Sequence, residues 1–212
     1  DTNNEILHLN FSKKSGAAAG LVVAPYYNRP NQEGIYAHFE AMTKKNDLPI
    51  VLYNVPARTV TDIKPETVAR LAQLPTVIGI KDASGDMPRV TDHRLACGPD
   101  FCLLSGVDEQ SLAFNAAGGR GCISVTANVA PKLCAEFQAA CASGDYDLAR
   151  DLNDKLYPLH LALFSDASPG PIKYALSRVI DGFPTELRLP MTPPSEASRR
   201  QVDAALENAG LI

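Results

Sequence analysis

The sequence has no excess of positive charge, no long apolar run and no recognisable signal peptide. Its 20 Lys and Arg residues stand against 24 Asp and Glu residues, and the net charge of -4 disfavours nucleic acid and anionic membranes as partners. No apolar stretch reaches the roughly 18 to 20 residues that a membrane span needs. The opening segment DTNNEILHLN lacks a basic start and an apolar centre. We therefore expect a soluble cytoplasmic protein.

The chain also lacks the cysteine and histidine patterns of metal sites. Its five cysteines are odd in number and include no CxxC pair, and its four histidines are scattered without an HExxH motif. We therefore predict no metal site, and cysteines that stay reduced. With 212 residues and 45% hydrophobic content, the chain is long enough for one large domain or two small ones.

Short apolar runs recur along the first part of the chain. They begin at Gly20, Pro49, Val77, Phe101 and Gly121. Each is rich in Val, Ile, Leu or Cys without polar alternation, which is typical of parallel strands covered on both faces. Helical periodicity lies between the runs, as in Ile35, Phe39 and Met42, and after about residue 130 it is the only pattern. The sequence therefore predicts strand-helix units followed by a helical region.

Two architectures use consecutive parallel strand-helix units: an open doubly wound sheet, and an eight-stranded barrel that five strands cannot close. The open sheet predicts a glycine-rich turn after the first strand, but Tyr26, Tyr27 and Asn28 stand there. The glycine cluster at 118–121 precedes an apolar run instead of following one. A dinucleotide site is therefore disfavoured, while both architectures stay open.

Polar residues follow every apolar run. They are Tyr26 and Tyr27, Tyr53 and Asn54, Lys81 and Asp82, Ser105 and Asp108, and Ser124 and Thr126. In either architecture the carboxyl ends of parallel strands build the active site. We therefore expect these side chains to converge.

Lys81 is the strongest candidate for a catalytic residue because it ends the apolar run VIGIK. Burial there favours the neutral amine, whose lone pair can attack a carbonyl carbon and form a Schiff base. Tyr53 ends the preceding run, so its phenol can relay a proton in the same space. Arg58, in the loop YNVPART, is a planar fork able to hold a carboxylate. The plainer interpretations are a lysine paired with Asp82, a core tyrosine and a solvated arginine.

Six segments resemble the dihydrodipicolinate synthase family, and together they extend over essentially the whole chain. They are APYYNRP at 24–30, LYNVPART at 52–59, GIKDASGD at 79–86, LLSGVDE at 103–109, ISVTANV at 123–129 and LRLPMTPP at 187–194. The resemblance implies an α/β fold of the TIM-type (β/α)8 barrel family with a C-terminal helical layer. About five strand-helix units would form a partial barrel at 1–130, with the helical region at 131–212. The preceding units, roughly 75 to 90 residues, have no counterpart in this sequence.

The resemblance also implies an activity. Members condense pyruvate with L-aspartate-4-semialdehyde in lysine biosynthesis through diaminopimelate, without a cofactor. Lys81 would form the Schiff base with pyruvate, and Tyr53 would give and take protons beside it. Tyr27 would be a second tyrosine of the relay, reaching into the site of a neighbouring subunit. The implied assembly is a homotetramer, a dimer of tight dimers.

Other residues take binding roles by the same resemblance. Arg58 would hold the semialdehyde carboxylate, while Gly106 and Ile123 would line the pyruvate pocket through their backbones. Tyr26 matches a residue of the pocket through which lysine inhibits some members. Two alternatives stay open. One is another pyruvate-dependent Schiff-base lyase, of the N-acetylneuraminate or 2-keto-3-deoxy sugar acid type, and the other is a catalytically inactive truncated fragment.

Overall fold

The computed structural model describes residues 1–212 and divides into two compact units. The sheet unit comprises Asp1–Val107 and Ala113–Ile123. The helical unit comprises Asp108–Leu112 and Ser124–Ile212. Every strand of the protein belongs to the sheet unit.

The sheet unit is built on four parallel strands. They are β1 (Gly20–Val23), β2 (Ile50–Asn54), β3 (Val77–Asp82) and β4 (Cys102–Ser105). The strands lie side by side in chain order, so each crossover returns the chain to the next position along the sheet. The prediction of parallel strands is confirmed for the first four apolar runs.

The fifth run, which begins at Gly121, does not form a strand, so that prediction was wrong. A single parallel bridge joins Ser105 to Cys122. Ser105 N donates to the Gly121 carbonyl at 2.8 Å, and Ile123 N donates to the Ser105 carbonyl at 2.9 Å. A 3-10 helix at Thr126–Asn128 follows almost at once. The extended segment therefore ends before a second bridge can form.

Helices connect the strands. They are α1 (Thr2–Lys14), α2 (Gln32–Lys45), α3 (Pro56–Thr59), α4 (Pro65–Leu71) and α5 (Pro88–Cys97), followed by a 3-10 helix at Asp108–Gln110 and by α6 (Ser111–Ala116). Proline opens α3, α4 and α5, where a missing backbone N–H leaves no intrahelical bond unmade. Asn31 caps α2 by accepting a hydrogen bond from Gly34 N at 2.9 Å.

One face of the sheet packs against these helices. The buried row across the four strands consists of Val22, Leu52, Ile80 and Leu103. Ile35, Phe39 and Met42, the predicted apolar face of α2, are completely buried in the same core. Crossovers of one hand place α2, α4 and α5 next to one another on this face.

The opposite face of the sheet is only half-buried. Its row across the strands consists of Val23, Tyr53, Lys81 and Leu104. Leu21, in β1, is 46% exposed. The prediction that the strands are covered on both faces is therefore wrong for this chain, because all the crossing helices lie on one side.

The helical unit contains the four remaining helices. They are α7 (Pro131–Ser143), α8 (Tyr146–Ala162), α9 (Gly170–Val179) and α10 (Glu196–Ala209). Its core consists largely of Phe137, Leu156, Leu159, Ile172 and Leu206, which recur at helical spacing.

Several further features bear on the sequence predictions. All five cysteines are free thiols. No group of three or more His, Cys, Asp or Glu side chains is arranged to hold a metal ion. None of the helices combines the length and the apolar character that crossing a bilayer requires.

Candidate active site

Lys81 and Tyr53 meet at the carboxyl end of the sheet. They are direct partners in the register of β2 and β3, so their side chains emerge on the same half-buried face. Lys81 Nζ lies 4.2 Å from the centroid of the Tyr53 ring. Lys81 is less buried than its apolar strand predicts, because it belongs to the row that the helices do not cover. The geometry gives an amine nucleophile and a phenolic proton carrier that share one accessible space.

Gly106 brings the backbone after β4 alongside this lysine. Gly106 N donates to the Asp82 carbonyl at 2.7 Å. A Cβ atom on Gly106 would lie 3.0 Å from Lys81 Cε and 2.7 Å from Ala83 Cβ, closer than carbon atoms pack. The contact with Ala83 excludes a side chain at this position, whereas the flexible end of Lys81 could shift, so glycine lets the backbone after β4 pass close to the end of β3.

Asp82 anchors the end of β3 next to the lysine. Its carboxylate accepts a hydrogen bond from Ser84 N at 2.7 Å and lies 3.4 Å from His93 Nε2, and His93 is buried. Burial alone raises the pKa of Asp82, but the hydrogen bonds from His93 and Ser84 outweigh it and hold the pKa below its usual value. Asp82 is thus a buried carboxylate that stays ionised, and it is paired with His93 and not with Lys81.

Ile123 lies at the same end of the sheet. Its backbone N–H donates to the Ser105 carbonyl at 2.9 Å. The side chain is 37% exposed.

Tyr26 and Tyr27 lie in the loop after β1 and are not enclosed in this chain. Tyr27 is 90% exposed and has a positive φ of 67°. Both tyrosines border a surface cavity of about 570 Å³, to which α1 contributes Thr2 and α2 contributes His38. The structure therefore presents Tyr27 outwards, at the surface of the sheet unit.

Arg58 is exposed on the short helix α3 and has no ion-pair partner. Four residues hold the loop that carries Arg58, and the sequence did not identify them as a group. They are Asn54, Asp62, Arg89 and Gln32. Only Asn54 carried a signal, because it follows Tyr53 at a strand end. Arg89 and Gln32 lie 27 and 30 residues along the chain from Asp62, which both of them bind. No local sequence pattern reveals contacts between residues so far apart.

The predicted convergence of all strand-end residues does not extend to Thr126. Thr126 is completely buried, and its Oγ1 lies 2.7 Å from Nδ1 of the buried His160, within the helical unit. Asp108, in the same unit, accepts a hydrogen bond from Val125 N at 2.8 Å. Burial lowers the pKa of His160. The Thr126 contact joins the 124–128 segment to α8, and the Asp108 contact joins it to the 3-10 helix at Asp108–Gln110.

Comparison with known proteins gives a consistent result. The model of the dihydrodipicolinate synthetase family matches residues 2–209. The chain is similar to 4-hydroxy-tetrahydrodipicolinate synthase of Novosphingobium aromaticivorans, with 67% identity over 100% of this chain and 72% of the relative.

Solved structures lead to the same group. The chain is similar to the dihydrodipicolinate synthase structure from Thermotoga maritima, with a TM-score of 0.95, 40% identity, and coverage of 100% of this chain and 73% of that chain. It is also similar to the Acinetobacter baumannii enzyme complexed with pyruvate, with a TM-score of 0.94, 42% identity, and coverage of 100% and 72%. The predicted partial barrel-family fold is thereby confirmed, and the chain spans a little under three quarters of the length of these relatives.

Proposed function

Because the chain belongs to the dihydrodipicolinate synthetase family, whose model matches residues 2–209, we propose that it condenses pyruvate with L-aspartate-4-semialdehyde. The product is 4-hydroxy-tetrahydrodipicolinate, and the reaction proceeds through a lysine Schiff base in lysine biosynthesis through diaminopimelate. The observation that carries the proposal is the placement of Lys81 Nζ 4.2 Å from the Tyr53 ring on the accessible face of the sheet. A similar solved enzyme is complexed with pyruvate, the proposed first substrate.

The proposed chemistry begins at Lys81. Its amine, after losing a proton, attacks the ketone carbon of pyruvate, and loss of water gives a protonated imine. The positive nitrogen withdraws electrons, so the methyl group loses a proton and the bound pyruvate becomes an enamine. The enamine carbon then attacks the semialdehyde carbonyl and forms the new carbon–carbon bond. Attack of the substrate's own amino group on the imine carbon closes the ring and releases Lys81.

Tyr53 is proposed to move protons during these steps. The carbinolamine must gain a proton to lose water, and the new alkoxide must gain one after carbon–carbon bond formation. A phenol beside the lysine can supply both and recover its proton from the solvent or from a second tyrosine. Tyr27 is proposed as that second tyrosine, acting in the site of a neighbouring subunit of a dimer of dimers, and its exposure supports this role.

The remaining groups are proposed to bind substrate. Gly106 and Ile123 offer backbone groups to pyruvate, and Arg58 offers a free guanidinium to the carboxylate of the semialdehyde. Tyr26 is proposed to border a regulatory pocket. No cofactor enters the proposed scheme, and the proposed location is the cytoplasm.

Borohydride trapping with pyruvate tests the proposal directly. We expect intact-mass spectrometry of the purified protein to find one reduced pyruvate adduct and peptide mapping to place it on Lys81. Lys81→Ala should lose the adduct while keeping the unfolding midpoint of the parent, because one half-exposed side chain is removed. Lys44→Ala, which changes an exposed lysine on α2 paired only with Glu40 of the same helix, is the matched control.

Three results would count against the proposal. An adduct that persists in Lys81→Ala would move the Schiff base to another residue. No adduct in the parent protein would favour a catalytically inactive chain. A trapped adduct followed by turnover of a sugar acid, but not of the semialdehyde, would favour the related lyases.

A further inference from the structure

Residues 55–64, termed the Arg58 loop, link β2 to α4 and include α3. The loop carries the guanidinium that is proposed to hold the semialdehyde carboxylate. Since Arg58 is exposed and unpaired, its position depends on what holds the backbone of the loop.

A nearly buried ion pair fastens the loop to α5. The two terminal nitrogens of Arg89 donate to the two carboxylate oxygens of Asp62, each at 2.7 Å. The Arg89 side chain is only 12% exposed. Burial alone raises the pKa of Asp62, but hydrogen bonds from Arg89 and Asn54 outweigh it and lower the pKa, so the carboxylate stays ionised. A two-point contact of this kind fixes both distance and angle.

Asn54 connects the same carboxylate to the end of β2. Its Nδ2 donates to Asp62 Oδ1 at 3.0 Å, and its Oδ1 accepts from Ile63 N at 3.0 Å. Asn54 is completely buried and follows Tyr53 in the strand. The loop is therefore joined to the strand that carries the proposed proton carrier.

Gln32 holds the loop from the other side, at the start of α2. Its Nε2 donates to the Asp62 carbonyl at 2.8 Å, while its Oε1 accepts from Lys64 N at 3.1 Å and from Thr67 Oγ1 at 2.6 Å. The far end of the loop is thus held by the helices that follow β1 and β3.

The loop backbone is also held in an unusual conformation at its tip. Val60, two residues after Arg58, has φ of 56° and ψ of 11°, a left-handed geometry that β-branched residues rarely adopt. Thr59 Oγ1 donates to the Thr61 carbonyl at 2.8 Å and supports this turn. Such a conformation persists only where the surroundings determine it.

Together these contacts favour a positional role over a stabilising one. The pair is partly buried, with Arg89 12% and Asp62 24% exposed, and the cost of desolvating two charges offsets much of their attraction, so its net contribution to stability is small. It does restrict the loop to one arrangement. Lys64, the other cation of the loop, lies 3.7 Å from Asp62, so Arg58 is the charged group on the loop that has no ion-pair partner. Neither Arg89 nor Asp62 makes a hydrogen bond with Lys81 or Tyr53.

We infer that Arg89 and Asp62 are positioning residues for Arg58, and that through it they set the affinity for the semialdehyde. The inference rests on the proposed function, since it requires a carboxylated second substrate. Pyruvate capture by Lys81 does not depend on the ion pair.

Steady-state kinetics with both substrates varied tests this role. In Arg89→Ala we expect the KM for the semialdehyde to rise roughly 10- to 100-fold, because displacing a binding group by about 1 Å has effects of that size. The KM for pyruvate should change less than about twofold and the yield of the reduced adduct should stay at the parental value, because the contacts around Lys81 are unaltered. Adding methylguanidine to Arg89→Ala should lower the semialdehyde KM again.

Arg70→Ala provides the matched control. Arg70 also forms a two-point pair, with Glu33, but on the surface and without a hydrogen bond to any residue of the Arg58 loop. We expect it to leave both KM values unchanged. Arg89→Lys should be intermediate, because an ammonium supplies the charge without the planar fork. If Arg89→Ala does not fold, the nearly isosteric Asp62→Asn tests the same contact.

The outcomes separate the two proposals. Equal rises in both KM values, an unchanged semialdehyde KM, or parental kinetics in Arg89→Lys would overturn the positioning role while the parent protein stays active. A parent protein that traps pyruvate but does not turn over the semialdehyde would refute the proposed function, and the positioning role would fall with it.

Discussion

The two units use the polar residues that follow apolar segments in opposite ways. In the sheet unit, Tyr53 and Lys81 lie on a half-buried face and stay accessible. In the helical unit, Thr126 is completely buried and its hydroxyl is bonded to His160. Both threonine and lysine ended an apolar run in the sequence, so the sequence signal was the same.

What separates the two outcomes is strand pairing. Tyr53 and Lys81 are register partners in adjacent strands, so both side chains must leave the same face. The run that contains Thr126 forms only one bridge before the backbone turns, and its polar groups then satisfy one another inside the helical unit. In the paired strands, Tyr53 and Lys81 stay accessible. In the turn, the polar side chain of Thr126 is bonded within the helical unit and is not accessible.

Tyr53→Phe tests the accessible side of this comparison, and we expect the largest effect from it. Removing the phenolic hydroxyl should slow turnover by roughly 10²- to 10⁴-fold, because the proton relay is lost, while pyruvate trapping on Lys81 and the unfolding midpoint stay near parental values. Single-turnover kinetics and borohydride trapping on the same preparation measure both. Parental turnover would make Tyr53 a structural residue. Tyr36→Phe, in α2 beside Arg70, is the control for loss of a tyrosine hydroxyl elsewhere in the sheet unit.

Thr126→Val should give the reverse pattern. The substitution keeps the shape but leaves the ring nitrogen of His160 without its partner, so the free energy of unfolding should fall by about 1–3 kcal/mol. Denaturant titration measures the loss. Pyruvate trapping per folded molecule should not change. An unchanged unfolding free energy would show that the buried hydrogen bond adds nothing to the helical unit.

Val60→Gly tests a strained backbone position in the sheet unit, and we expect the smallest effect from it. Val60 is 62% exposed, so little apolar contact is lost. Relief of the left-handed backbone should exceed the entropy cost of glycine and raise the free energy of unfolding by up to about 1 kcal/mol. Thermal unfolding checks this. A clear loss of stability would show that the valine side chain has a packing role which its exposure does not reveal.

Much of the sheet could be predicted because its signals are local. Apolar runs of the right length, prolines at helix starts and a face such as Ile35, Phe39 and Met42 are visible within a few residues. The exposure of the second face could not be predicted, because it depends on which side the crossovers take. The fifth run differs from the others because it makes a single bridge, from Cys122 to Ser105, and no ladder forms.

For the candidate site, too, only the residues with a local sequence signal could be predicted. Lys81 and Tyr53 are visible as polar residues that end neighbouring strands. The pair of Arg89 and Asp62 is not, since it joins residues 27 positions apart whose sequence neighbourhoods are ordinary for surface loops. The need for glycine at Gly106 could not be predicted either, because it depends on the close approach of Ala83, which only the folded structure shows.

Under the proposed Schiff-base chemistry, the register between β2 and β3 also makes pyruvate trapping on Lys81 a measure of correct folding. A slip of one residue would turn Lys81 to the helix-covered face and put a neighbour opposite Tyr53. Helix content would barely change, so bulk spectroscopy would not detect the error. In a refolding mixture, the fraction of chains that carries a borohydride-reduced pyruvate would therefore measure the fraction of sheets paired in the native register.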